Sequence, residues 1–344
     1  MFVTLEQTDA AELHQFRDPA TGLRALIALH STRLGPALGG CRCLPYPDEH
    51  TALNDVCRLA RGMSYKAALA GLPLGGGKAV IMEPDKPYDR AALYRAFGDA
   101  VNRLGGRYIT AMDAGTEITD LDQVATQTRH VWGFSSDGMD PSPYTALGVF
   151  AALDAAIRHR FQRHGARGLH IAIQGLGHVG SQLALMLARA GARLTLADLD
   201  PRRAHRLADR LNTRWVPADS IYDVACDIFM PCALGGVLTP DAADRLQARL
   251  ICGAANNQLA TPGIAARLHR RGIVYLPDYV VNAGGIISVA SEIHGQDDAW
   301  RQSRLEAIAG RMQTLLQRAE AEDRTTTDLA DDMVRAILAG REVV

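Results

Sequence analysis

Two lysines stand twelve residues apart in apolar, glycine-rich surroundings, Lys66 in RGMSYKAALAG and Lys78 in GLPLGGGKAVI. A desolvated lysine beside a second cation loses its proton more easily and becomes a usable general base, whereas a lysine kept charged binds a carboxylate. Asp113, which ends the run RYITAMD, is placed to shuttle a proton beside them. Taken singly, each has a plainer explanation, a surface lysine with an apolar stem or an aspartate capping a turn. The three together favour chemistry. The GGGK segment is not a phosphate-binding loop of the GxxxxGKS/T type, because Leu72 replaces its first glycine and Ala79 its hydroxyl residue.

A second constellation holds a ligand and does not react with it. Gly175, Gly177 and Gly180 form GLGHVG, with Leu176, His178 and Val179 between them, directly after LHIAIQ and directly before SQLALMLARA. In that context the first glycine permits a tight turn, the second lets a pyrophosphate approach the backbone, and the third lets helix and strand pack closely. The helix N-terminus then faces the phosphates. Asp198 ends the next apolar run 18 residues after Gly180. A carboxylate there accepts hydrogen bonds from ribose hydroxyls and repels a 2′-phosphate, so NAD is expected over NADP. A glycine turn with a solvated aspartate is the bland alternative, and the strand–turn–helix–strand register argues against it.

Positioning these groups takes two scaffolds. At 344 residues the chain is long enough for two domains. In the first, the pattern predicts a strand at 23–30, a Gly/Pro-rich turn, a helix over 51–70, a strand at 78–83, a helix over 88–104 and a strand at 107–113. The run 133–143 reads as a loop and a domain boundary. A helix over 145–163 then leads into buried strands at 169–175, 193–199, 226–231, 249–254 and 273–278 with amphipathic segments between them, the alternation of a doubly wound parallel sheet, and a helical tail over 299–341. Lys plus Arg number 37 and Asp plus Glu 38, a net charge of −1 that leaves no basic field for nucleic acid or an anionic membrane. Glu6 and Asp9 stand where a signal peptide carries positive charge, and no apolar run reaches the roughly 18 residues of a membrane span. Six scattered cysteines form no CxxC, so reduced thiols, no metal and a cytoplasmic location are expected.

The segments GPALGG (35–40), RGMSYK (61–66), GLPLGGGKAVI (71–81), ITAMDAGT (109–116), PSPYTALGV (141–149), MPCALGG (230–236), GAANNQL (253–259) and PDYVVNAGGII (277–287) resemble the glutamate/leucine/phenylalanine/valine dehydrogenase superfamily, most closely its leucine dehydrogenases. The resemblance implies an α/β fold of two domains. An N-terminal substrate domain at 1–140 and a Rossmann NAD-binding domain at 146–325 would flank a cleft, and a C-terminal helix at 326–344 would pack back on the first domain. It implies reversible oxidative deamination of an L-amino acid to the 2-oxo acid, ammonia and NADH. By the same resemblance Lys66 holds the substrate carboxylate, Lys78 is the general base that activates water, and Asp113 relays protons to and from the amino group. Asn257 and Asn282 would bond substrate or nicotinamide, Thr145 the nicotinamide amide, and Cys232 and Ala233 would join the glycine loop on the cofactor.

Glutamate dehydrogenases carry a lysine in the GPxxGG loop for the second substrate carboxylate, and Leu38 stands there in this chain. With Gly39 beside it, Leu38, Ala111, Ile286 and Val289 would form an apolar substrate pocket, which favours branched aliphatic side chains at about 0.8 kcal/mol per buried methylene. Met112, where leucine dehydrogenases usually have Glu, and Ser288, where Asn is usual, depart from the pattern and bear on substrate choice. A phenylalanine or broad hydrophobic amino-acid dehydrogenase is the alternative, and a catalytically silent NAD sensor a reading from another class. The chain ends short of the C-terminal arm that accompanies octamers, so a homo-oligomer is expected but not that assembly.

Overall fold

The computed structural model describes residues 9–135 and 140–341. The chain divides into two compact units, Met1–Asp140 and Pro141–Val344. The expected loop at 133–143 includes residues 136–139, which lie outside the described residues, as do 342–344.

In the first unit, β1 (Glu12–Asp18), β2 (Leu23–Ser31), β3 (Ala37–Leu44), β4 (Gly75–Met82) and β5 (Tyr108–Met112) form one sheet in the order β1-β2-β4-β3-β5. Strands β1, β2 and β4 pair antiparallel, and β3 runs parallel to both β4 and β5. The Gly/Pro-rich turn expected after β2 includes most of β3, a strand at the centre of the parallel pairing. Its glycines serve close approach, not turning: a Cβ on Gly39 would lie 1.8 Å from the Gly77 carbonyl oxygen, and one on Gly40 2.5 Å from that of Met112. Helix α1 (Glu49–Leu69) starts where Asp48 accepts the Thr51 backbone N–H at 2.7 Å. It buries Ala52, Val56, Cys57 and Ala60 against Ala28 and Val80 on one sheet face. Helices α2 (Arg90–Asn102) and α3 (Ile118–Ala125) pack their apolar side chains with Ala37, Cys41, Ala79 and Tyr108 on the other.

Because successive strand residues face opposite ways, the register assigns Leu38, Gly40 and Arg42 of β3, Lys78 of β4 and Ala111 of β5 to the face that carries Ala28 and Val80. Asp113 follows β5 by one residue and continues that alternation.

The second unit opens with α4 (Ser142–Phe161), ahead of the predicted start. Its sheet comprises β6 (His170–Gln174), β7 (Arg193–Ala197), β8 (Arg214–Trp215), β9 (Ile228–Pro231), β10 (Leu250–Ile251) and β11 (Val274–Tyr275), all parallel, in the order β11-β10-β9-β6-β7-β8. The predicted strands are all present and shorter; β8 is additional, an exposed edge pair with no apolar run to announce it. The chain leaves β6 toward β7 and β8 and later returns to lay β9 on its other side. The β6–β9 junction is therefore the topological switch point, outside whose carboxyl ends such sheets bind ligands. Helices α5 (His178–Arg189), α6 (Pro201–Leu211), α7 (Pro240–Arg245) and α8 (Gly263–Arg270) connect the strands, and α9 (Asp278–Val281) and α10 (Gly284–Ile293) follow β11.

The tail is two helices, α11 (Asp298–Glu322) and α12 (Thr326–Leu338), separated where Asp323 adopts φ +49° and Thr325 caps the second by accepting the Asp328 N–H at 3.0 Å. Helix α12 belongs to the second unit: Thr326 donates to the Tyr275 carbonyl, the Tyr279 hydroxyl donates to Asp331 at 2.6 Å, and Leu329, Ala330, Met333 and Val334 are buried. Among the described residues no helix is long and apolar enough to cross a membrane, and no group of His, Cys, Asp or Glu could hold a metal ion.

Candidate active site

The Asp113 carboxylate gathers the charge on the α1 side of the first unit's sheet. Its Oδ2 lies 2.7 Å from Lys78 Nζ and accepts Arg42 Nε at 3.0 Å. The Lys78 side chain is only 8% exposed, so its ammonium is held beside the carboxylate with little competition from water. Burial pushes the Asp113 carboxyl up, but the charges of Lys78 and then Arg42, with hydrogen bonds from Lys78 and the Ala114 backbone, outweigh it and hold the group below its ordinary range. The partner of Lys78 is therefore an anion. The structure thus brings together two of the three groups singled out in the sequence, Lys78 and Asp113, as an ion pair.

Arg42 has a second engagement that the motifs did not disclose. Its NH1 donates to Asp55 Oδ2 at 2.9 Å, and that carboxylate also accepts the Tyr46 hydroxyl at 2.7 Å and Arg58 NH2 at 2.9 Å. The alternation of Leu38, Gly40 and Arg42 would have pointed to this arginine had β3 been read as a strand. Lys66 lies in the last turn of α1, half-buried. Leu38 is buried, Gly39 offers its carbonyl to the Tyr108 hydroxyl, and Ala111 is half-buried.

In the second unit the glycine loop follows β6. Gly175 takes φ +92°, which favours glycine, and a Cβ on Gly180 would lie 2.0 Å from the Gly175 carbonyl oxygen. By contrast a Cβ on Gly177 would meet nothing within 4 Å. That open side, at the cap of α5, leaves backbone N–H groups and the exposed His178 facing free space, with Val179 half-buried behind them. Cys232 and Ala233 follow β9 at the switch point; the Cys232 N–H donates to the Gln174 carbonyl at 2.7 Å, and burial pushes its thiol up to about 12. Ala233 sits where a Gly175 side chain would have to go.

Asp198 is anchored to the backbone on both sides of it. Oδ2 accepts the Leu176 N–H at 2.7 Å and Oδ1 the Asp200 N–H at 2.9 Å, with Arg203 NH1 at 3.4 Å. Asn257 holds φ +51° while its N–H donates to Asp278 Oδ2 at 2.8 Å. Asn282 donates through Nδ2 to the Ala254 carbonyl at 3.1 Å and to Asn256 Oδ1 at 2.8 Å, and its own Oδ1 is buried with no partner. Thr145 donates to the Pro141 carbonyl at 3.2 Å and fills the space beside Gly285. Ile286 and Val289 lie one turn apart on α10, both buried. A glycine cradle with room for a ligand and an orphaned amide oxygen suit a dinucleotide, whose phosphates and carboxamide supply the complementary groups.

Residues 11–130 match the family described as Glu/Leu/Phe/Val dehydrogenase, dimerisation domain, and residues 195–335 match Glutamate/Leucine/Phenylalanine/Valine dehydrogenase. The leucine dehydrogenase of Thermoactinomyces intermedius is 42% identical over 312 residues, 90% of this chain and 85% of that one. The L-tryptophan dehydrogenase of Nostoc punctiforme is 42% identical over 310 residues, 90% of this chain and 87% of its own length. The crystal structure of L-tryptophan dehydrogenase from Nostoc punctiforme superposes with a TM-score of 0.86 at 37% sequence identity, covering 99% of each chain. The chain belongs to the Glu/Leu/Phe/Val dehydrogenase family of amino-acid dehydrogenases, and is an oxidoreductase.

Proposed function

We propose that this enzyme carries out NAD-dependent, reversible oxidative deamination of apolar branched-chain L-amino acids, leucine, valine and isoleucine, to 2-oxo acids and ammonia. The observation that carries the reading is the ion pair of buried Lys78 with half-buried Asp113 on the sheet face that also carries Leu38, where an acid-specific enzyme would need a cation. NAD, when bound, accepts the hydride from the substrate α-carbon. Lys66 fixes the amino acid by its carboxylate. Lys78 takes a proton from the water that attacks the imino carbon, and Asp113, in contact with it, moves a proton to the departing amine. Leu38, Gly39 and Ala111 present apolar surface and leave an acidic side chain without a partner.

On the cofactor, Gly175, Gly177 and Gly180 take the pyrophosphate at the start of α5, Asn282 Oδ1 accepts from the nicotinamide carboxamide, and Asp198 discriminates against a 2′-phosphate. A preference for aromatic side chains is the second reading, favoured by the tryptophan dehydrogenase at the same 42% identity as the leucine enzyme. Initial rates of NADH and NADPH formation across the standard L-amino acids decide among these: branched aliphatics with NAD fastest supports the proposal, and aromatic or acidic substrates fastest overturns it. The match of the first unit to a dimerisation domain supports a homo-oligomer, checked by light scattering, and the six thiols suit the cytoplasm.

A further inference from the structure

Asp113 receives two cations on one oxygen, and they differ in kind. Lys78 must gain and lose a proton if it acts as the base, and each time it is neutral the largely enclosed carboxylate beside it loses half its counter-charge. Arg42 cannot do this, since a guanidinium stays protonated throughout the accessible pH range. The planar fork of Arg42 is also fixed from two sides, Nε on Asp113 at 3.0 Å and NH1 on Asp55 at 2.9 Å, and Asp55 is itself held by Tyr46 and Arg58. A connected series therefore runs from α1 through Asp55 and Arg42 to the reacting carboxylate.

We propose that Arg42, anchored by Asp55, is a positioning residue that keeps Asp113 an aligned carboxylate while Lys78 cycles between its protonated and neutral forms. The inference rests on the proposed deamination, with Lys78 as base and Asp113 as proton relay. Lys78 faces Asp113 from β4 and Arg42 faces it from β3. Behind them Cys41 and Tyr108 are kept protonated by burial, so neither supplies charge. Asp55 and Arg58 face Arg42 from α1, with Tyr46 from the loop before it.

The test uses the full chain with Arg42→Gln, Arg42→Lys and Asp55→Asn. Removing a fixed cation favours the protonated form of every titratable neighbour, so the rising limb of the pH–rate profile for amino-acid oxidation should move up by about one unit in Arg42→Gln. Its kcat should fall roughly ten- to a hundredfold with KM changed far less. Arg42→Lys should restore the limb but not the full kcat, because one ammonium cannot reach both carboxylates in the guanidinium's geometry. Asp55→Asn should show a smaller loss of the same kind. If Arg42→Gln does not fold, the other two variants carry the same comparison. A rising limb that stays in place, or a loss confined to KM, overturns the proposal. Titration of the Asp113 carboxyl by carbon NMR, expected to move upward in Arg42→Gln, separates the two readings: an inactive wild type would sink the proposed function, while an unmoved Asp113 would sink the role of Arg42 alone.

Discussion

Asp198 Oδ2 accepts the backbone N–H of Leu176 at 2.7 Å, so the carboxylate at the end of β7 braces the glycine loop from below. A carboxylate has further acceptor capacity, and the same group can still take ribose hydroxyls. Asp198→Ala should therefore do two things at once. It should lower kcat/KM for NAD while raising relative NADP use, with Arg203 released from its 3.4 Å contact, and it should cost about 1–3 kcal/mol by leaving a buried N–H unpaired. Asp198→Asn separates the effects, since its amide oxygen still braces the loop. It should keep most of the melting temperature and still shift the NAD/NADP ratio; an unchanged ratio in both variants would remove Asp198 from cofactor choice.

The three glycines of the loop should respond differently to one added methyl. Gly180→Ala drives a Cβ into the Gly175 carbonyl and should destabilise the fold by about 1–3 kcal/mol or more. Gly177→Ala meets nothing within 4 Å and should leave melting within about 0.5 kcal/mol of wild type. Its KM for NAD should nevertheless rise, because the methyl occupies the side from which a pyrophosphate reaches the backbone. Normal NAD binding by Gly177→Ala would place the phosphates elsewhere.

Lys78→Ala removes the proposed base and should lose roughly two to four orders of magnitude in kcat, while NADH binding followed by fluorescence survives. Lys66→Ala should act chiefly on KM for the amino acid, since a carboxylate contact is present in ground and transition states alike. A Lys78→Ala enzyme with near-normal rate and an unaltered pH profile would move the base to another group, with Asp113 next to be tested.

Leu38→Lys puts a cation at a buried position on the sheet face of Lys78 and Asp113. Activity on leucine should fall and activity on glutamate should appear, because the new ammonium pairs a second carboxylate and removes apolar contact. Full retention of leucine turnover would mean that Leu38 does not face substrate.

The second unit was legible in the sequence because its strands other than β8 read as short, largely buried apolar runs with amphipathic segments between them. The glycine fingerprint then fell at a strand end by simple alternation. The first unit resisted at β3, where Gly39 and Gly40, just after Pro36, carry the composition of a turn while their smallness serves close strand packing. That misreading hid Arg42, whose partners Asp113 and Asp55 lie 71 and 13 positions away and meet it only through sheet register and the lie of α1. The C-terminal helix could not be placed from its pattern either, since an amphipathic face does not say which surface it covers. Within the second unit, Thr326 ties the start of that helix to the Tyr275 carbonyl.

Strand β3 has a consequence for how this enzyme could diversify. Positions 38 and 42 point the same way about 13 Å apart along an extended chain, with a glycine locked between them at position 40. On the proposed reading, substrate recognition occupies one end and carboxylate alignment the other, and the glycine between them has no side chain to pass an adjustment from one to the other. A lineage can thus exchange the residue at 38 to meet a new amino acid without retuning the proton chemistry at 113. Any drift at 39 or 40 is blocked by backbone collision. Divergence of diet within such a family should therefore concentrate on alternate positions of this strand and spare the residues between them.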